Sequence, residues 1–528
     1  MAEKESVVGQ VNDWQDGEMK QVAVGETDIL VARVAGQYHA IGAYCTHYGA
    51  PLVEGVLSGS RVVCPWHHAC FSVTSGDHEE PPGFDCLPHF EVRIRGDDIV
   101  VCVPDDAPTQ RTPDMAKPDT KADERIFAIL GAGVAGAAAA ETLRQVGFQG
   151  RLVLITGEGH VPYDRTVLSK AYLAGEQEDI GPLRDVAFYE QHGIEVQANK
   201  PVARVDTTAQ QIEFMNGEEL SYHTLLVATG GSPRQLNVRG TELDGVFRLR
   251  TPEDAQQIIA AAKNGTRGVI IGASFISMEC AASLRQRDVK ITVVAPESAP
   301  LALVLGPAIG QMYKNLHEAN GVSFVLEAAV EQLVGEDKVE KVVVRGGQEI
   351  EADFVVMGVG VQPATEFLRG VERNEDESVS VDAHLCVART NSTLYAAGDI
   401  ATFPDPVSGA PIRIEHWRLA QQHGRTAALN MAGIDKTFDQ VPFFWTSQYG
   451  LSLAYVGHAT DWDDIVYEGD LEQHDFLAYY LKGDQVQAVA GMGREQSLCA
   501  IEECLRLGKM PSVQEIQAGA IDWVAQLR

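Results

Sequence analysis

Cysteines and histidines with metal-ligand spacing stand near the start of this 528-residue sequence. The motifs Cys-Thr-His at 45–47 and Cys-Pro-Trp-His at 64–67 each combine one thiol with one imidazole. Such a set can hold a tetrahedral zinc ion or a Rieske 2Fe–2S cluster, in which two thiolates bind one iron and two imidazoles bind the other. Zinc fingers pair like ligands on one loop, whereas each loop here mixes them. The pattern therefore predicts a Rieske cluster bound by Cys45, His47, Cys64 and His67.

The residues around these motifs predict a small all-β domain. Short runs of alternating apolar and polar residues, such as Ile29–Val34 and Ile99–Val103, are bounded by Gly, Asp and Pro, as strands and turns are. The Pro-Pro-Gly segment at 81–83 supplies a rigid third loop that is expected to shield the cluster.

Other cysteines and one histidine near the ligands have plainer interpretations. Cys70, Cys86 and Cys102 are expected to be buried core thiols, since a free cysteine packs as a small hydrophobe. His68, directly after a ligand, is interpreted either as a solvent-facing residue or as a second titratable group near the cluster.

A proline-rich segment at residues 105–124 reads as an interdomain linker. It carries alternating charges and no aromatic residue. Pro-rich linkers are semi-rigid and extend about 3 Å per residue. This composition predicts that the N-terminal domain moves by tens of ångströms.

A glycine-rich turn follows the linker. An apolar run predicts a strand before Gly131, and an Ala-rich helix begins near Gly133 and Gly136. The first glycine permits a tight turn, the second lets the backbone approach a pyrophosphate, and the third lets helix touch strand. Glu158, roughly 20 residues further on, is placed to bind a ribose hydroxyl. The pattern predicts a dinucleotide-binding fold.

The same pattern recurs as an internal repeat. A second strand leads to Gly272, Ser274 and Ser277, and Glu297 lies roughly 20 residues further on. The serines are small enough to keep a close approach possible. An acid at Glu297 with no arginine beside it favours NAD over NADP. The chain is thus expected to bind two dinucleotides, of which the second is NADH.

A third motif assigns FAD to the first fold. Residues 393–400, TLYAAGDI, resemble the second flavin fingerprint, in which the aspartate hydrogen-bonds the ribityl chain. With PYDRTVLSK at 162–170 and LLVATGGSPR at 225–234, they resemble the pyridine-nucleotide-disulfide oxidoreductases. The redox CxxxxC that disulfide reductases place beside the flavin is missing from VLSK at 167–170, which argues against disulfide reduction. Cys499 and Cys504 have that spacing but are expected to be core thiols.

Longer segments narrow the resemblance. EHWRLAQQHGRTAALNM at 415–431, PFFWTSQYG at 442–450 and DDIVYEGDL at 463–471 are similar to the flavin ferredoxin reductases of oxygenase systems, and CTHYGAPLVEG at 45–55 resembles Rieske ferredoxins. The chain looks most like the Rieske-containing apoptosis-inducing-factor-like proteins.

This resemblance implies an N-terminal all-β Rieske domain, two α/β Rossmann-like domains and a C-terminal α+β interface domain. The expected boundaries are 1–104 for the Rieske domain, 105–124 for the linker, 125–246 with 364–437 for the FAD-binding domain, 247–363 for the NAD-binding domain and 438–528 for the interface domain.

The resemblance also implies site residues. Lys170 and Glu279 are expected to pair beside the isoalloxazine and, with Trp417, to form the catalytic set. Expected FAD contacts are Gly131, Gly133, Gly136, Glu158, Arg165, Lys170, Val202, Ala228, Thr229, Gly230, Arg250, Gly398, Asp399, Glu415, His416 and Trp417. Expected NAD contacts are Gly272, Ser274, Phe275, Ile276, Glu279, Glu297, Gly358 and Gly360.

These assignments predict an NADH-dependent flavoprotein reductase. Electrons would pass from NADH through FAD to the chain's own Rieske cluster, and then to a terminal acceptor such as an oxygenase. Two alternatives stay open: a redox sensor of low turnover similar to apoptosis-inducing factor, and a reductase that acts on a small molecule at the flavin.

The charge of the chain restricts its partners. Lys and Arg number 42 against 74 Asp and Glu, a net charge of −32. Without a basic stripe, such a chain repels phosphate backbones and anionic lipid, so nucleic-acid and membrane roles are not expected. A protein acceptor is expected to present a basic face.

No targeting signal is visible and cysteines are few, so the expected location is the cytoplasm. A monomer and a homodimer are both compatible with the sequence.

Overall fold

A computed structural model describes residues 3–519 and 521–527. None of the helices in these two ranges is long and apolar enough to cross a membrane. The α-helices of the described residues, in chain order, are α1 (Val134–Gln145), α2 (Ala171–Ala174), α3 (Val186–Gln191), α4 (Pro252–Ala261), α5 (Phe275–Gln286), α6 (Ala302–Ala319), α7 (Trp417–Met431), α8 (Glu495–Leu507) and α9 (Val513–Ala518).

The N-terminal part contains two antiparallel sheets and no α-helix among its described residues. Its small apolar cores lie on the inner faces of these sheets. The six-stranded sheet has the order Glu3–Gln10, Asp98–Pro104, His89–Arg95, Gln37–Gly42, Thr27–Val34 and Met19–Val24. The four-stranded sheet has the order Val56–Ser58, Arg61–Val63, Cys70–Ser72 and His78–Glu80. The predicted all-β character is confirmed.

The first α/β fold is a parallel sheet covered by α1 and α7. Its strands are buried on both faces, which suits their nearly continuous apolar sequences. Their order is Ile194–Gln197, Arg151–Ile155, Ile126–Leu130, Thr224–Val227 and Leu394–Ala396. A second sheet beside it has the order Glu219–Ser221, Gln211–Phe214, Val202–Asp206 and Leu368–Arg369.

The second α/β fold repeats the first, as the internal repeat predicts. Its parallel sheet has the order Val246–Phe247, Phe354–Met357, Arg267–Ile271, Lys290–Val294 and Ser323–Val325. An antiparallel sheet of Val330–Val334, Lys341–Val344 and Glu349–Glu351 flanks it. The short pair Gly231–Pro233 and Val361–Pro363 joins the two folds.

The C-terminal part is an antiparallel sheet with α8 and α9 packed on it. The strand order is Phe443–Gln448, Leu451–Gly457, Gln485–Met492, Asp475–Lys482 and Asp464–Asp470. The remaining short strands of the described residues, Val379–Ser380, Ala401–Pro404 and Pro411–Ile412, form a sheet of their own. Cys499 and Cys504 are fully buried, which confirms the prediction of core thiols.

The linker at 105–124 lies along the protein surface and is held at several points. Arg111 pairs with Cys86 of the N-terminal part through two backbone hydrogen bonds of 2.8 Å. Further along, the amide of Ala116 donates to the carbonyl of Arg144 at 2.8 Å. These bonds and the interface described below hold the domain docked in this structure, whereas the composition of the linker led us to expect a domain that moves.

Candidate functional site: a cluster pocket beside a dinucleotide cavity

The two ligand motifs sit on loops of the same shape. In one, the amide of Gly49 donates to the carbonyl of Cys45 at 2.9 Å; in the other, the amide of His68 donates to the carbonyl of Cys64 at 3.2 Å. The last residue of each turn is left-handed, with φ of 76° at Gly49 and 59° at His68. Glycine adopts this conformation without strain, whereas histidine adopts it at a cost.

The four ligand side chains form two pairs. The Cys45 and Cys64 thiols are buried, and each shifts the pKa of the other: Cys64 raises that of Cys45, and Cys45 lowers that of Cys64. The Nδ1 atoms of His47 and His67 lie 3.2 Å apart. Within the described residues, no three His, Cys, Asp or Glu side chains surround a single-ion position. Two thiols and two imidazoles are the donor set of a Rieske cluster, in which the thiols bind one iron and the imidazoles bind the other.

Burial keeps both histidines neutral. It lowers the pKa of His47 to about 4 and that of His67 well below its ordinary value. Neutral imidazole is the form that binds a metal. The third loop lies against the ligands as expected, since a Cβ on Gly83 would be 3.6 Å from the Cβ of His47. Cys70, Cys86 and Cys102 are buried, as predicted.

His68 does not face solvent. It is fully buried, its Nδ1 bonds Glu502 of α8, and its ring stacks on Phe443 at 4.1 Å. The solvent-facing interpretation is wrong, because the left-handed turn directs the side chain into the contact between the N-terminal and C-terminal parts.

A cavity of about 1020 Å³ runs between the two α/β folds. Most of the expected residues line it. Those from the first fold and its neighbouring segments are Gly131, Gly133, Glu158, Arg165, Lys170, Val202, Ala228, Thr229, Gly230, Arg250, Gly398, Asp399, Glu415, His416 and Trp417. Those from the second fold are Ser274, Phe275, Ile276, Glu279, Gly358 and Gly360.

The first glycine-rich turn has the geometry that its sequence predicts. Gly131 has a φ of 112°, and a Cβ there would meet the Ala228 carbonyl oxygen at 2.2 Å. A Cβ on Gly136 would meet the Gly131 carbonyl oxygen at 1.9 Å, so Gly136 supports the turn from behind the cavity lining. Around Gly133 there is no atom within 4 Å of a Cβ. The N-terminus of α1 thus faces open space, which suits a pyrophosphate.

The acid after the second strand is held in place. Tyr163 Oη donates to Glu158 Oε2 at 2.7 Å, and Arg165 Nη2 donates to Glu158 Oε1 at 2.7 Å. Sequence reasoning missed Tyr163, although it lies in the motif at 162–170. The carboxylate is therefore oriented along the wall of the cavity.

Lys170 and Glu279 form the ion pair that the resemblance implies. Lys170 Nζ lies 2.8 Å from Glu279 Oε2. Two hydroxyls complete the carboxylate's partners: Ser169 Oγ donates to Oε2 at 2.6 Å and Thr446 Oγ1 donates to Oε1 at 2.7 Å. Ser169 and Thr446 were not predicted. Three side chains from two other segments of the chain thus fix one buried carboxylate.

The second glycine-rich turn has a hydrogen bond from a serine side chain that the first turn, with glycine at this position, does not have. Gly272 has a φ of 102° and lies behind the cavity lining, where a Cβ would meet the Gly358 carbonyl oxygen at 2.3 Å. Ser277 Oγ donates to that carbonyl at 3.1 Å. Glu297 does not line the cavity; its Oε2 is buried and has no hydrogen-bond partner among the described residues.

An aromatic ring connects the cluster pocket with the cavity. The rings of His67 and Trp445 are 4.4 Å apart between centroids, and Trp445 lines the cavity. Tyr48 Oη donates to Asp164 Oδ2 at 2.7 Å across the same contact. Asp164 also caps the turn that precedes Lys170. The two histidines of the candidate cluster site therefore lie on the side of the cavity.

Known proteins share these features. Family profiles match residues 126–424 (Pyridine nucleotide-disulphide oxidoreductase), 4–91 (Rieske [2Fe-2S] domain) and 443–523 (Reductase C-terminal). Apoptosis-inducing factor 3 of Homo sapiens is 38% identical over 97% of this chain and 86% of its own length. The biphenyl dioxygenase system ferredoxin–NAD(+) reductase component of Paraburkholderia xenovorans is 34% identical over 66% of this chain and 84% of its own length. The solved covalent putidaredoxin reductase–putidaredoxin complex aligns with 76% of this chain and 98% of the matched chain, at 27% identity and a TM-score of 0.71.

Fold and site thus define an NAD-dependent flavoprotein oxidoreductase of the ferredoxin-reductase type, fused to a Rieske domain. The chain belongs to the pyridine nucleotide-disulphide oxidoreductase family, in the branch that contains apoptosis-inducing factor 3. Its cofactors are FAD, NAD(H) and the Rieske 2Fe–2S cluster. Cys45, His47, Cys64 and His67 have the donor set that such a cluster needs.

Proposed function

We propose that this enzyme passes electrons from NADH through FAD to its own Rieske cluster, and from there to a protein acceptor such as an oxygenase. The contact between His67 and Trp445 carries the proposal, because it places a cluster ligand one ring away from the cavity. FAD supplies the conversion from hydride transfer to single-electron transfer, and the cluster takes electrons singly.

The residues of the cavity would prepare hydride transfer. The ammonium of Lys170, held by Glu279, supplies a fixed positive charge that favours a reduced, anionic flavin. Glu279 lies in the first half of α5, close to Phe275 and Ile276, which line the cavity. The nicotinamide would therefore enter the cavity beside this carboxylate. His416 and Trp417 border the cavity at the start of α7 and would exclude water from the reacting face.

The acceptor is proposed from the relatives and from charge. One relative is named as the reductase component of a dioxygenase system, and another was solved in complex with putidaredoxin. Both support a protein acceptor of one-electron type. With a net charge of −32, the chain would attract an acceptor that presents a basic face.

All the proposed site residues belong to one chain, so we propose that a single copy of the chain suffices for activity. None of the nine cysteines, all of which lie in the described residues, forms a disulfide, and this suits a reducing compartment such as the cytoplasm.

The test compares Cys45→Ser, which removes one cluster ligand, with Cys386→Ser, a cysteine outside the site. We expect Cys45→Ser to keep NADH-driven ferricyanide reduction at the flavin and to lose cytochrome c reduction, together with the EPR signal of the reduced cluster. The control should keep all three.

Two outcomes would contradict the proposal. Full cytochrome c reduction by Cys45→Ser would show that electrons leave at the flavin, as in a small-molecule reductase. Negligible turnover of the wild type, with a long-lived flavin–nicotinamide charge-transfer band, would indicate a redox sensor.

A further inference from the structure

One arginine joins three parts of the chain. Arg418, the second residue of α7, is 1% exposed. Its Nε donates to the carbonyl of Pro81 at 2.7 Å, and its Nη2 donates to the carbonyl of His68 at 3.1 Å; both carbonyls belong to loops around the cluster. Its Nη1 donates to Glu502 Oε1 of α8 at 2.7 Å. The guanidinium thus uses each of its nitrogens on a partner from outside its own helix.

Glu502 completes this contact from the C-terminal side. Its other oxygen binds His68 Nδ1, so the carboxylate holds both the arginine and the loop that carries His67. A buried charge without a partner is costly, and removal of one member of a buried pair is strongly destabilising. Arg418 and Glu502 compensate each other's charge, and the docked Rieske domain supplies the remaining partners: two carbonyls for the guanidinium and the His68 ring for the carboxylate.

The same face of α7 makes further contacts with the Rieske domain. Gln421 Nε2 donates to the carbonyl of Gly83 at 2.8 Å, and Gln422 Nε2 donates to Glu80 Oε2 at 3.1 Å. Positions three and four residues apart lie on one helix face, so these side chains continue the line begun by Arg418. Trp417 and Ala420 of this helix line the dinucleotide cavity instead. A single helix thus contacts the cavity and the Rieske loops.

We propose that Arg418 is a positioning residue that fixes the Rieske domain for electron transfer from the flavin, so that the transfer needs no domain motion. The inference rests on the proposed function. In the step concerned, the reduced flavin loses one electron and the oxidised cluster gains it, and no covalent bond forms or breaks. Arg418 acts through the loops that it holds, and it is not among the residues that line the dinucleotide cavity.

The first test is Arg418→Lys. An ammonium keeps the charge beside Glu502, but it cannot reach three acceptors in the fixed directions of a guanidinium. Anaerobic stopped-flow absorbance separates flavin reduction by NADH from the subsequent cluster reduction. We expect the rate of flavin reduction by NADH and the rate of ferricyanide reduction to be unchanged. Reduction of the cluster should be slower by about ten- to a hundredfold. The control is Arg151→Lys, because Arg151 is an exposed arginine whose Nε and Nη2 donate to the two carboxylate oxygens of Glu195.

The second test leaves the interface intact and cuts the linker. A protease site inserted between Pro108 and Thr109 is cleaved in the folded enzyme, where these residues are exposed. We expect the cut wild type to elute as one complex with an unchanged rate of cluster reduction, and the cut Arg418→Lys variant to separate or to slow.

The outcomes distinguish the two proposals. If the uncut wild type never reduces its cluster with NADH, the proposed function fails. If it does, and Arg418→Lys matches it or the cut wild type slows, then the positioning role of Arg418 is wrong while the function stands. Should Arg418→Lys fail to fold, the cut wild type alone decides.

Discussion

The imidazole of His67 lies against the indole of Trp445, with 4.4 Å between ring centroids and 43° between ring planes. His67, a proposed cluster ligand, lies on a loop of the N-terminal domain, and Trp445 belongs to the first strand of the C-terminal sheet. Since the indole also lines the dinucleotide cavity, the tryptophan lies between the candidate cluster pocket and this cavity.

Replacement of Trp445 by leucine should slow electron transfer from flavin to cluster. Leucine removes the ring that fills the space between His67 and the cavity, whereas Trp445→Phe keeps an aromatic ring of smaller size. We expect cluster reduction to slow in the order wild type, phenylalanine, leucine, with flavin reduction by NADH unaffected. Stopped-flow absorbance at the flavin and cluster bands measures both. Trp462→Phe is the control, and equal cluster rates in all variants would show that Trp445 has no part in the transfer.

Replacement of Lys170 by methionine should slow the first step instead. Methionine has a similar length but no charge, so the reduced flavin loses a stabilising cation and the flavin potential becomes more negative. We expect hydride transfer to slow by about tenfold or more. Lys341→Met, which breaks an exposed pair with Glu349, is the matched control. An unchanged rate and potential in Lys170→Met would assign the ion pair with Glu279 to structure alone.

Salt should weaken reduction of a basic protein acceptor. The net charge of −32 attracts such an acceptor at a distance, and ions screen this attraction. For cytochrome c, kcat/KM should fall by about tenfold as sodium chloride is raised through the physiological range. For the anionic acceptor ferricyanide, kcat/KM should rise or stay unchanged as the salt concentration is raised. A cytochrome c rate that is independent of salt would contradict the expected basic face of the partner.

Acid should destabilise the first α/β fold through His423 of α7. This side chain is fully buried, its Nδ1 accepts the amide hydrogen of Gly398 at 3.3 Å, and burial lowers its pKa from 6.5 to about 3. The unfolded chain binds a proton that the folded protein excludes, so the stabilisation is complete above pH 6.5 and is lost as the pH falls from 6.5 towards 3. At pH 5 the loss is about 2 kcal/mol.

A glutamine at position 423 does not titrate and so isolates this effect. Thermal unfolding at pH 7.5 and pH 5 should show a smaller fall in Tm for His423→Gln than for the wild type. His384→Gln, a partly exposed histidine, should behave as the wild type does. If His423→Gln loses as much stability in acid as the wild type, the buried neutral histidine is not the cause.

Local motifs predicted much of this molecule. Cys45 and His47 are close in sequence and lie on one turn, and the glycine turn at 131–136 depends on contacts between adjacent elements. Such features can be predicted because short spacing fixes their geometry. The pairing of Lys170 with Glu279 needed the resemblance, since the two residues come from different folds.

The docking of the Rieske domain could not be predicted in this way. Arg418 and the His68 carbonyl are 350 residues apart in sequence, and Arg418 and Glu502 are 84 apart. No spacing rule connects such residues. The left-handed φ of His68, which buries its side chain, is visible only in the backbone. Similarly, the composition of the linker indicates how stiff it is but not the surfaces along which it lies.

The most direct test of the central claim is a single turnover without an external acceptor. The oxidised enzyme is mixed anaerobically with half an equivalent of NADH, frozen at successive times and examined by EPR. We predict that the signal of a reduced Rieske cluster grows as the absorbance of the two-electron-reduced flavin decays, because each cluster takes one of the two electrons that one NADH delivers. A reduced flavin that persists while no cluster signal appears would contradict electron transfer from FAD to the chain's own cluster.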